Sequence, residues 1–333
     1  MNFGELTMTA EMVHVRPMNE NDLEESDKIM RLAFGTFLGL PEPIQFMGDA
    51  DYVRTRYKAD PSAALIAITD DSRIVGSNFA LDWGSVGIFG PLTVHPDYWD
   101  KGVAKELLRE TMKIFQRWGS KHLGLFTFAQ SSKHVHLYQK FDFWPRYLTA
   151  IMSTNIVEKR PVEQLNKRKR YFSKYSELSQ AERARIVTDC KTLTNCIYEG
   201  LDLKKEITSV NQQKLGDTIF LRDPNSEELI GFAVCHAGSG SEAGGGNCYV
   251  KFGVVRRGDT SPELFNALLD ACEDYASSQN MSRVVAGVNT ARHSAYKIMI
   301  ERGFRTDLQG IAMHRPNESG YNLPDIYLID DWR

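Results

Sequence analysis

The sequence predicts a mixed α/β fold, in which helices pack on a sheet that contains parallel and antiparallel strands. Short apolar runs joined by tight turns across residues 63–94 indicate an antiparallel meander. A helical stretch and a further strand follow at 102–128, the arrangement of a parallel crossover. The same order of apolar positions returns 161 residues later, so that residues 87–94 correspond to 248–255. The fold is therefore predicted to be present twice.

The elements before the crossover are predicted from apolar alternation and from capping residues. Residues 13–16 alternate as a short strand, and Asn19 or Asn21 is placed to cap the helix that follows. Glycines and prolines interrupt residues 35–51, which predicts a loop anchored in the core by a few side chains. Three strands are predicted after this loop, at residues 63–69, 74–83 and 86–94.

The crossover helix is the most regular element. One apolar stripe with a period of about 3.6 residues predicts a helix that begins near Gly102 and buries one face. The stripe consists of Val103, Leu107, Leu108, Ile114, Phe115 and Trp118. A strand at 122–128, a helix at 132–140 and strands within 146–155 complete the first half.

The turn into this helix is a candidate anion site. Asp100 to Ala104 supply amides that have no intrahelical acceptor, and the helix dipole adds positive potential. Gly102 permits close approach to the backbone, and Lys101 and Lys105 add positive charge. A turn of this kind is also ordinary punctuation between a strand and a helix, and it is neither a Walker loop nor a Rossmann turn.

Two motifs extend beyond the turn. The first, V-x-P-x-x-[RQ]-x-x-G-x-[GA], runs from Val94 to Ala104, with Trp99 in place of Arg or Gln. The second, N-x-x-A-x-x-L-Y-x-K-x-G-F, runs from Ser131 to Phe143. Its matching positions are Leu137, Tyr138, Lys140 and Phe143, and its departures are Ser131, His134 and Asp142. In these motifs the chain resembles the GNAT superfamily of acyl-CoA-dependent N-acetyltransferases.

This resemblance implies acetyl-CoA as co-substrate, and no metal is expected because the sequence contains no HExxH or Cys/His ligand set. Pantetheine is expected along the fourth strand, the diphosphate on the turn, and the remaining phosphate near Ser131 and Lys133. The implied cofactor-binding residues are Leu92, Thr93, Val94, Trp99, Asp100, Lys101, Gly102, Val103, Ala104, Ser131 and Lys133. Tyr138 is the implied catalytic residue, as the partner of the departing thiolate. A core tyrosine beside Leu137 and Phe141 is the alternative interpretation.

The resemblance also implies an amine acceptor that attacks directly in a ternary complex. Phe37, Glu42, Phe46 and Trp83 are candidates for the acceptor pocket. The general base is not evident: His95, Asp82, Glu42 and a chain of water molecules are all candidates.

The second half keeps the apolar pattern of the first half and lacks its predicted binding and catalytic residues. Gly102 and Ala104 correspond to Glu263 and Phe265, and Tyr138 corresponds to Met299, which has no proton to donate. We therefore expect a tandem arrangement with a degenerate second GNAT-like domain, each domain having its own mixed, largely antiparallel sheet. The predicted boundaries are 1–12 for a flexible N-terminus, 13–156 for the catalytic domain, 157–170 for a basic linker and 171–333 for the degenerate domain.

The bulk composition bears on rival functions. A formal charge of −3 gives no electrostatic reason to expect a nucleic-acid partner, although the basic stretch 159–174 keeps that hypothesis open. There is no apolar run of membrane-spanning length and no signal-peptide pattern, and the five cysteines form no CxxC, so a cytoplasmic location is expected. The eight histidines form no metal-ligand pattern. A non-catalytic acyl-CoA sensor or interaction protein is the alternative to an enzyme, and the oligomeric state is left open.

Overall fold

The computed structural model describes residues 13–156 and 172–333 of the chain. The predicted flexible N-terminus at 1–12 and the predicted basic linker at 157–170 lie outside these residues, and of the basic stretch 159–174 only Phe172 to Lys174 are described. The strands are β1 Val13–Pro17, β2 Ala64–Thr69, β3 Ile74–Trp83, β4 Val86–Phe89, β5 Thr93–Val94, β6 His122–Thr127, β7 Trp144–Asn155, β8 Phe172–Lys174, β9 Gly216–Arg222, β10 Leu229–Gly238, β11 Gly244–Val255, β12 Arg283–Asn289, β13 Arg305–Arg315 and β14 Leu328–Ile329. The helices are α1 Leu23–Phe37, α2 Val53–Ala59, α3 Val103–Trp118, α4 Ser132–Gln139, α5 Gln180–Ile197, α6 Lys204–Gln212, α7 Ser261–Ser278 and α8 His293–Glu301.

The mixed α/β class is confirmed, and two predicted elements need correction. The strand predicted over 86–94 is broken into β4 and β5, because Gly90 has a φ of 147° and Pro91 has no N–H to donate to a ladder. The strands predicted within 146–155 are a single strand, β7. Asn19 caps the first helical segment, since its side chain accepts a hydrogen bond from the amide of Asn21 at 3.0 Å.

The two halves share one continuous sheet. Its strand order is β1-β2-β3-β4-β6-β13-β7-β12-β11-β10-β9-β8. Strand β13 of the second half lies beside β6 of the first half, and its counterpart β7, the last strand of the first half, lies beside β12 of the second. Corresponding strands are thus exchanged, and β7 and β13 pair with each other in antiparallel register. Each half is completed by a strand of the other.

Helix α3 packs on the sheet of the first half. Val103, Leu107, Leu108, Ile114 and Phe115 are all buried in one cluster with residues of β2, β3 and β6. Burying five such side chains stabilises the helix by several kcal/mol, at roughly 1.5–3 kcal/mol each. The helix ends at Gly119, whose φ of 68° is the left-handed conformation that glycine adopts freely. Packing therefore fixes the position of the helix N-terminus relative to β5.

A buried network of paired charged side chains links the two halves of the protein. The guanidinium of Arg56 in α2 forms two hydrogen bonds with Glu242, at 3.0 and 3.1 Å. The ammonium of Lys251 lies 2.9 Å from Glu242 and 3.1 Å from Glu206. Glu206 in turn accepts a hydrogen bond of 3.0 Å from the indole of Trp83. Because every one of these charges is paired, the network is tolerated in the interior.

Candidate functional site

Strands β4 and β6 diverge at the site. They pair in parallel from Val86 opposite His122 to Ile88 opposite Gly124, and the ladder ends there. Beyond Gly90 the chain turns to pair with β3 instead, with Thr93 opposite Ser77. The amide of His95 donates to the carbonyl of Val75 at 2.9 Å, so the backbone groups of alternate residues, Leu92 and Val94, face the opening. The opening therefore offers a strand edge with which no strand of the described residues pairs.

The N-terminus of α3 lies at the mouth of this opening. Gly102 precedes the helix with a φ of 86° and has no side-chain cap. A β-carbon added at Gly102 would meet no heavy atom within 4 Å, so the space beside the first amides is open. The amides of Val103 and Ala104 have no intrahelical acceptor, and they point into that space together with the positive end of the helix dipole. This arrangement suits a phosphate.

Trp99 orders the turn that leads into α3. Its indole N–H donates to the carbonyl of Val94 at 2.8 Å, which fixes the turn against β5. The ammonium of Lys133 lies 2.7 Å from the carboxylate of Asp100 and 5.9 Å from the centre of the Trp99 ring. The ammonium of Lys101 lies over the ring of Tyr98 at 4.6 Å. The turn is thus held by contacts that leave its amides exposed.

The start of α4 has a structural task. Ser131 is nearly buried, and its hydroxyl accepts a hydrogen bond of 3.4 Å from the amide of His134, which makes it the cap of α4. Lys133, the second residue of α4, is largely exposed and forms an ion pair with Asp100. The two residues predicted to contact a phosphate therefore differ: Lys133 lines the cavity with its positive charge, whereas Ser131 caps the helix.

Tyr138 presents its hydroxyl to the cavity. Its ring is buried against Phe89, with ring centres 5.8 Å apart, and among the described residues its hydroxyl has no hydrogen-bond partner. Burial raises the pKa of Tyr138 well above its usual value, so the hydroxyl keeps its proton at neutral pH. A protonated and unengaged phenol is available to donate a hydrogen bond to a ligand.

One cavity of about 770 Å³ joins all of these groups. Its lining includes Leu92 to Val94, the turn 98–100, the helix start 102–105, and Lys133 and Tyr138. Its far wall comes largely from the second half, including Glu242, Tyr249, Trp332 and Arg333. The cavity is therefore assembled from both halves of the chain.

The acceptor candidates separate into two groups. Phe37 and Phe46 line the cavity. Trp83 lies instead in the core with its indole on Glu206, and Glu42 is exposed and hydrogen-bonded to Gln45, so neither is part of the lining.

The candidates for the general base lie elsewhere too. The ring of His95 accepts a hydrogen bond of 3.3 Å from the amide of Asp97, and Asp82 lies 3.0 Å from the ammonium of Lys205. Neither lines the cavity. No side chain predicted as the base is therefore placed to take a proton from an acceptor there.

Sequence reasoning missed Arg56. Besides its contacts with Glu242, Arg56 donates to the carbonyls of Gly90 and Arg333, at the strand break and at the far wall. Its sequence context, an ordinary basic residue in a short helix, contains no signal of this role. Contacts that span 186 residues are set by the tertiary fold.

The corresponding turn of the second half is closed. The hydroxyl of Ser261 accepts from the amide of Gly258 at 2.8 Å and donates to the carbonyls of Arg256 and Gly258, while Pro262 contributes no N–H. Phe265 and Met299 are fully buried in the core. The second half thus has neither the open amides nor the phenol of the first.

Comparisons with known proteins bear on the family and the fold of the chain. Residues 31–143 match the family model described as the acetyltransferase (GNAT) family. Residues 31–143 are therefore identified as a GNAT acetyltransferase domain. No curated protein matches it by sequence.

Solved structures show a similar fold over nearly the whole chain. A structure from Pyrococcus horikoshii is 15% identical with a TM-score of 0.66, covering 100% of this chain and 98% of that one. A GCN5-related N-acetyltransferase from Sphaerobacter thermophilus is 11% identical with a TM-score of 0.56, covering 91% and 95%. A tandem GNAT protein from the clavulanic acid biosynthesis pathway is 12% identical with a TM-score of 0.54, covering 91% and 98%. Within the described residues, no helix has the length and apolar character that crossing a membrane requires.

Proposed function

We propose that this GNAT protein is an N-acetyltransferase that moves an acetyl group from acetyl-CoA to a primary amine by direct attack in a ternary complex. The observation that supports this best is the continuity of the cavity. One space connects the open amides at Gly102 with the free hydroxyl of Tyr138 and extends to a wall formed by the second half. A cavity of this extent suits a ligand as large as acetyl-CoA together with an acceptor.

The residues present fit acetyl-CoA, which supplies the acetyl group as a thioester when it is bound. The exposed edge formed by Leu92 and Val94 suits pairing with an extended amide chain. The amides of Val103 and Ala104 suit the diphosphate, and Lys105 and Lys133 add positive charge there. The chain thus provides for the two chemically distinct parts of that co-substrate.

Tyr138 is the residue that we assign to the reaction. Its raised pKa keeps the hydroxyl protonated, so it stabilises a departing thiolate by donating a hydrogen bond. Complete transfer of that proton is unfavourable because the phenol is a weaker acid than a thiol. The thiolate then takes its proton through solvent, and the hydroxyl acts through electrostatic stabilisation.

Thiol release from acetyl-CoA, measured across a panel of amines, tests the proposal. We expect amine-dependent release by the wild type and a loss of roughly 100-fold in kcat for Tyr138→Phe, with acetyl-CoA binding unchanged. Because the hydroxyl has no partner among the described residues, this variant is expected to keep its stability and to serve as its own folding control. Binding of acetyl-CoA without release from any amine would instead support a non-catalytic acyl-CoA sensor.

A further inference from the structure

The two ends of the cavity differ in their balance of charge. At the end formed by α3 and α4, Lys105 and Lys140 line the cavity, and no carboxylate of the described residues lies within ion-pair distance of either. Lys133 is the basic residue there that has a partner, Asp100. This end therefore has an excess of positive charge, as an anionic ligand requires.

At the other end each charged side chain is neutralised by another side chain. Glu242 is held by Arg56 at 3.0 Å and by Lys251 at 2.9 Å. The other charged side chains at this end form two ion pairs, Arg283 with Asp307 at 2.7 Å and Arg333 with Asp331 at 3.3 Å. No carboxylate side chain in this part of the lining is left over to bind an ammonium group. A polycation would find no ion-pair partner there to offset the free energy cost of removing its charges from water.

Aromatic rings make up much of the remaining wall. Phe34 stacks on Phe46 with ring centres 5.3 Å apart, and Phe37 lies 5.0 Å from Phe128. Trp332 faces the same cavity from the second half. Rings in offset or tilted arrangements attract a further aromatic group through dispersion and their quadrupoles.

We propose that the acceptor is a small primary amine with an aromatic or otherwise apolar body, such as an arylalkylamine, and not a polyamine or a lysine side chain of a peptide. This inference rests on the proposed function and names the substrate class of that site. It depends on two independent observations, the complete pairing of charges at this end and the ring-lined wall.

The apolar wall also explains how the reaction proceeds although none of the predicted general bases lies at the cavity. Although burial acts to raise it, the charges of Arg56 and Lys251 hold the pKa of Glu242 well below its usual value, so that carboxylate is a poor proton acceptor. A low-dielectric wall lowers the pKa of an amine brought against it, and the acceptor therefore binds as the free base. Its nitrogen forms the new C–N bond, the thioester C–S bond breaks, and the proton that the nitrogen loses passes through water to the departing thiolate, which becomes the free thiol of CoA.

A matched set of amines provides the test. We compare 2-phenylethylamine with 1,4-diaminobutane, spermidine and a lysine peptide at saturating acetyl-CoA. The expected kcat/KM for 2-phenylethylamine is higher by on the order of 100-fold, which is the gain from burying a phenyl ring. Equal or faster turnover of the diamine or the peptide would overturn the substrate class and leave the proposed function standing. Calorimetric binding of acetyl-CoA without turnover of any amine would overturn both.

A variant in the wall makes the test specific to the rings. Phe46→Ala should raise KM for 2-phenylethylamine by on the order of tenfold with kcat and the KM for acetyl-CoA nearly unchanged. Ile44→Ala in the same segment is the matched control, because Ile44 is 49% exposed and does not line the cavity. Equal effects of the two substitutions, or no effect of Phe46→Ala, would contradict the assignment of this wall.

Discussion

Ile329 pairs with Gly253, the residue that corresponds to Leu92 in the first half. Leu328 pairs likewise with Val254, the counterpart of Thr93. Strand β14 therefore runs along the edge of β11 at the positions where the first half leaves its strand edge open. In the second half the chain itself occupies the place that we assign to pantetheine in the first.

This relationship predicts a single molecule of acetyl-CoA per chain. The side chains of Leu328 and Ile329 are fully buried, and displacing them would expose apolar surface that no ligand at that edge replaces. Titration calorimetry should give a stoichiometry of about one, because the second cleft is filled. Ala104→Glu should abolish binding, while Glu263→Lys, at the exposed position of the second half that corresponds to Gly102, should not affect it. Two equivalent sites would contradict the assignment.

The backbone at Gly102 is expected to matter for the co-substrate more than for the fold. Gly102→Ala places a methyl group in the open space beside the helix amides and strains a positive φ, at a cost of roughly 1 kcal/mol of stability. We expect the KM for acetyl-CoA to rise on the order of tenfold.

Gly119→Ala is the matched control for that substitution. Gly119 also has a positive φ and open space around it, at the far end of the same helix. It should lose a similar amount of stability with no change in KM. If both variants bind acetyl-CoA as the wild type does, the turn at Gly102 is not the phosphate site.

The local elements could be predicted from the sequence, and their partners could not. The bounds of β3 and the start of α3 follow from apolar periodicity, which is a property of neighbouring residues. The exchange of β7 and β13 depends on pairing between residues far apart in the chain, and both strands have the same local pattern whichever half they complete. Trp83 shows the same limit: its position at a strand end suggests a cavity, and only the tertiary structure reveals Glu206 beneath it.

Replacing Arg56 should weaken the packing of the two halves against each other and lower the free energy of unfolding. The guanidinium and the carboxylate of Glu242 are 2% and 1% exposed, so Arg56→Met leaves a buried charge with one partner fewer. We expect a loss of about 3–5 kcal/mol in the free energy of unfolding, measured by chemical denaturation.

Arg54→Met is the control for that loss. Arg54 lies in the same helix, is 39% exposed and is 3.4 Å from Asp51. Its removal should cost less than about 1 kcal/mol. Similar losses for the two variants would show that the buried network contributes no more than a surface ion pair.

Acid should destabilise the protein through a histidine pair at the exchanged strands. Nε2 of His122 in β6 lies 2.9 Å from Nδ1 of His314 in β13, and burial lowers the pKa of His122 from 6.5 to about 4 and that of His314 to about 3. Between pH 6.5 and 4 the unfolded chain binds protons that the folded chain does not, so the free energy of unfolding falls as the pH falls. From pH 7.5 to pH 5 the expected loss from His122 is about 2 kcal/mol.

Denaturation curves at the two pH values measure this loss, and His122→Gln separates it from other groups. His236, whose pKa burial also lowers to about 4, contributes with the same sign and remains in the variant. Glutamine does not titrate, so the variant should lose less stability on acidification than the wild type, even if it is less stable at pH 7.5. An equal loss of stability on acidification in the wild type and the variant would mean that His122 does not contribute to the acid sensitivity of the protein.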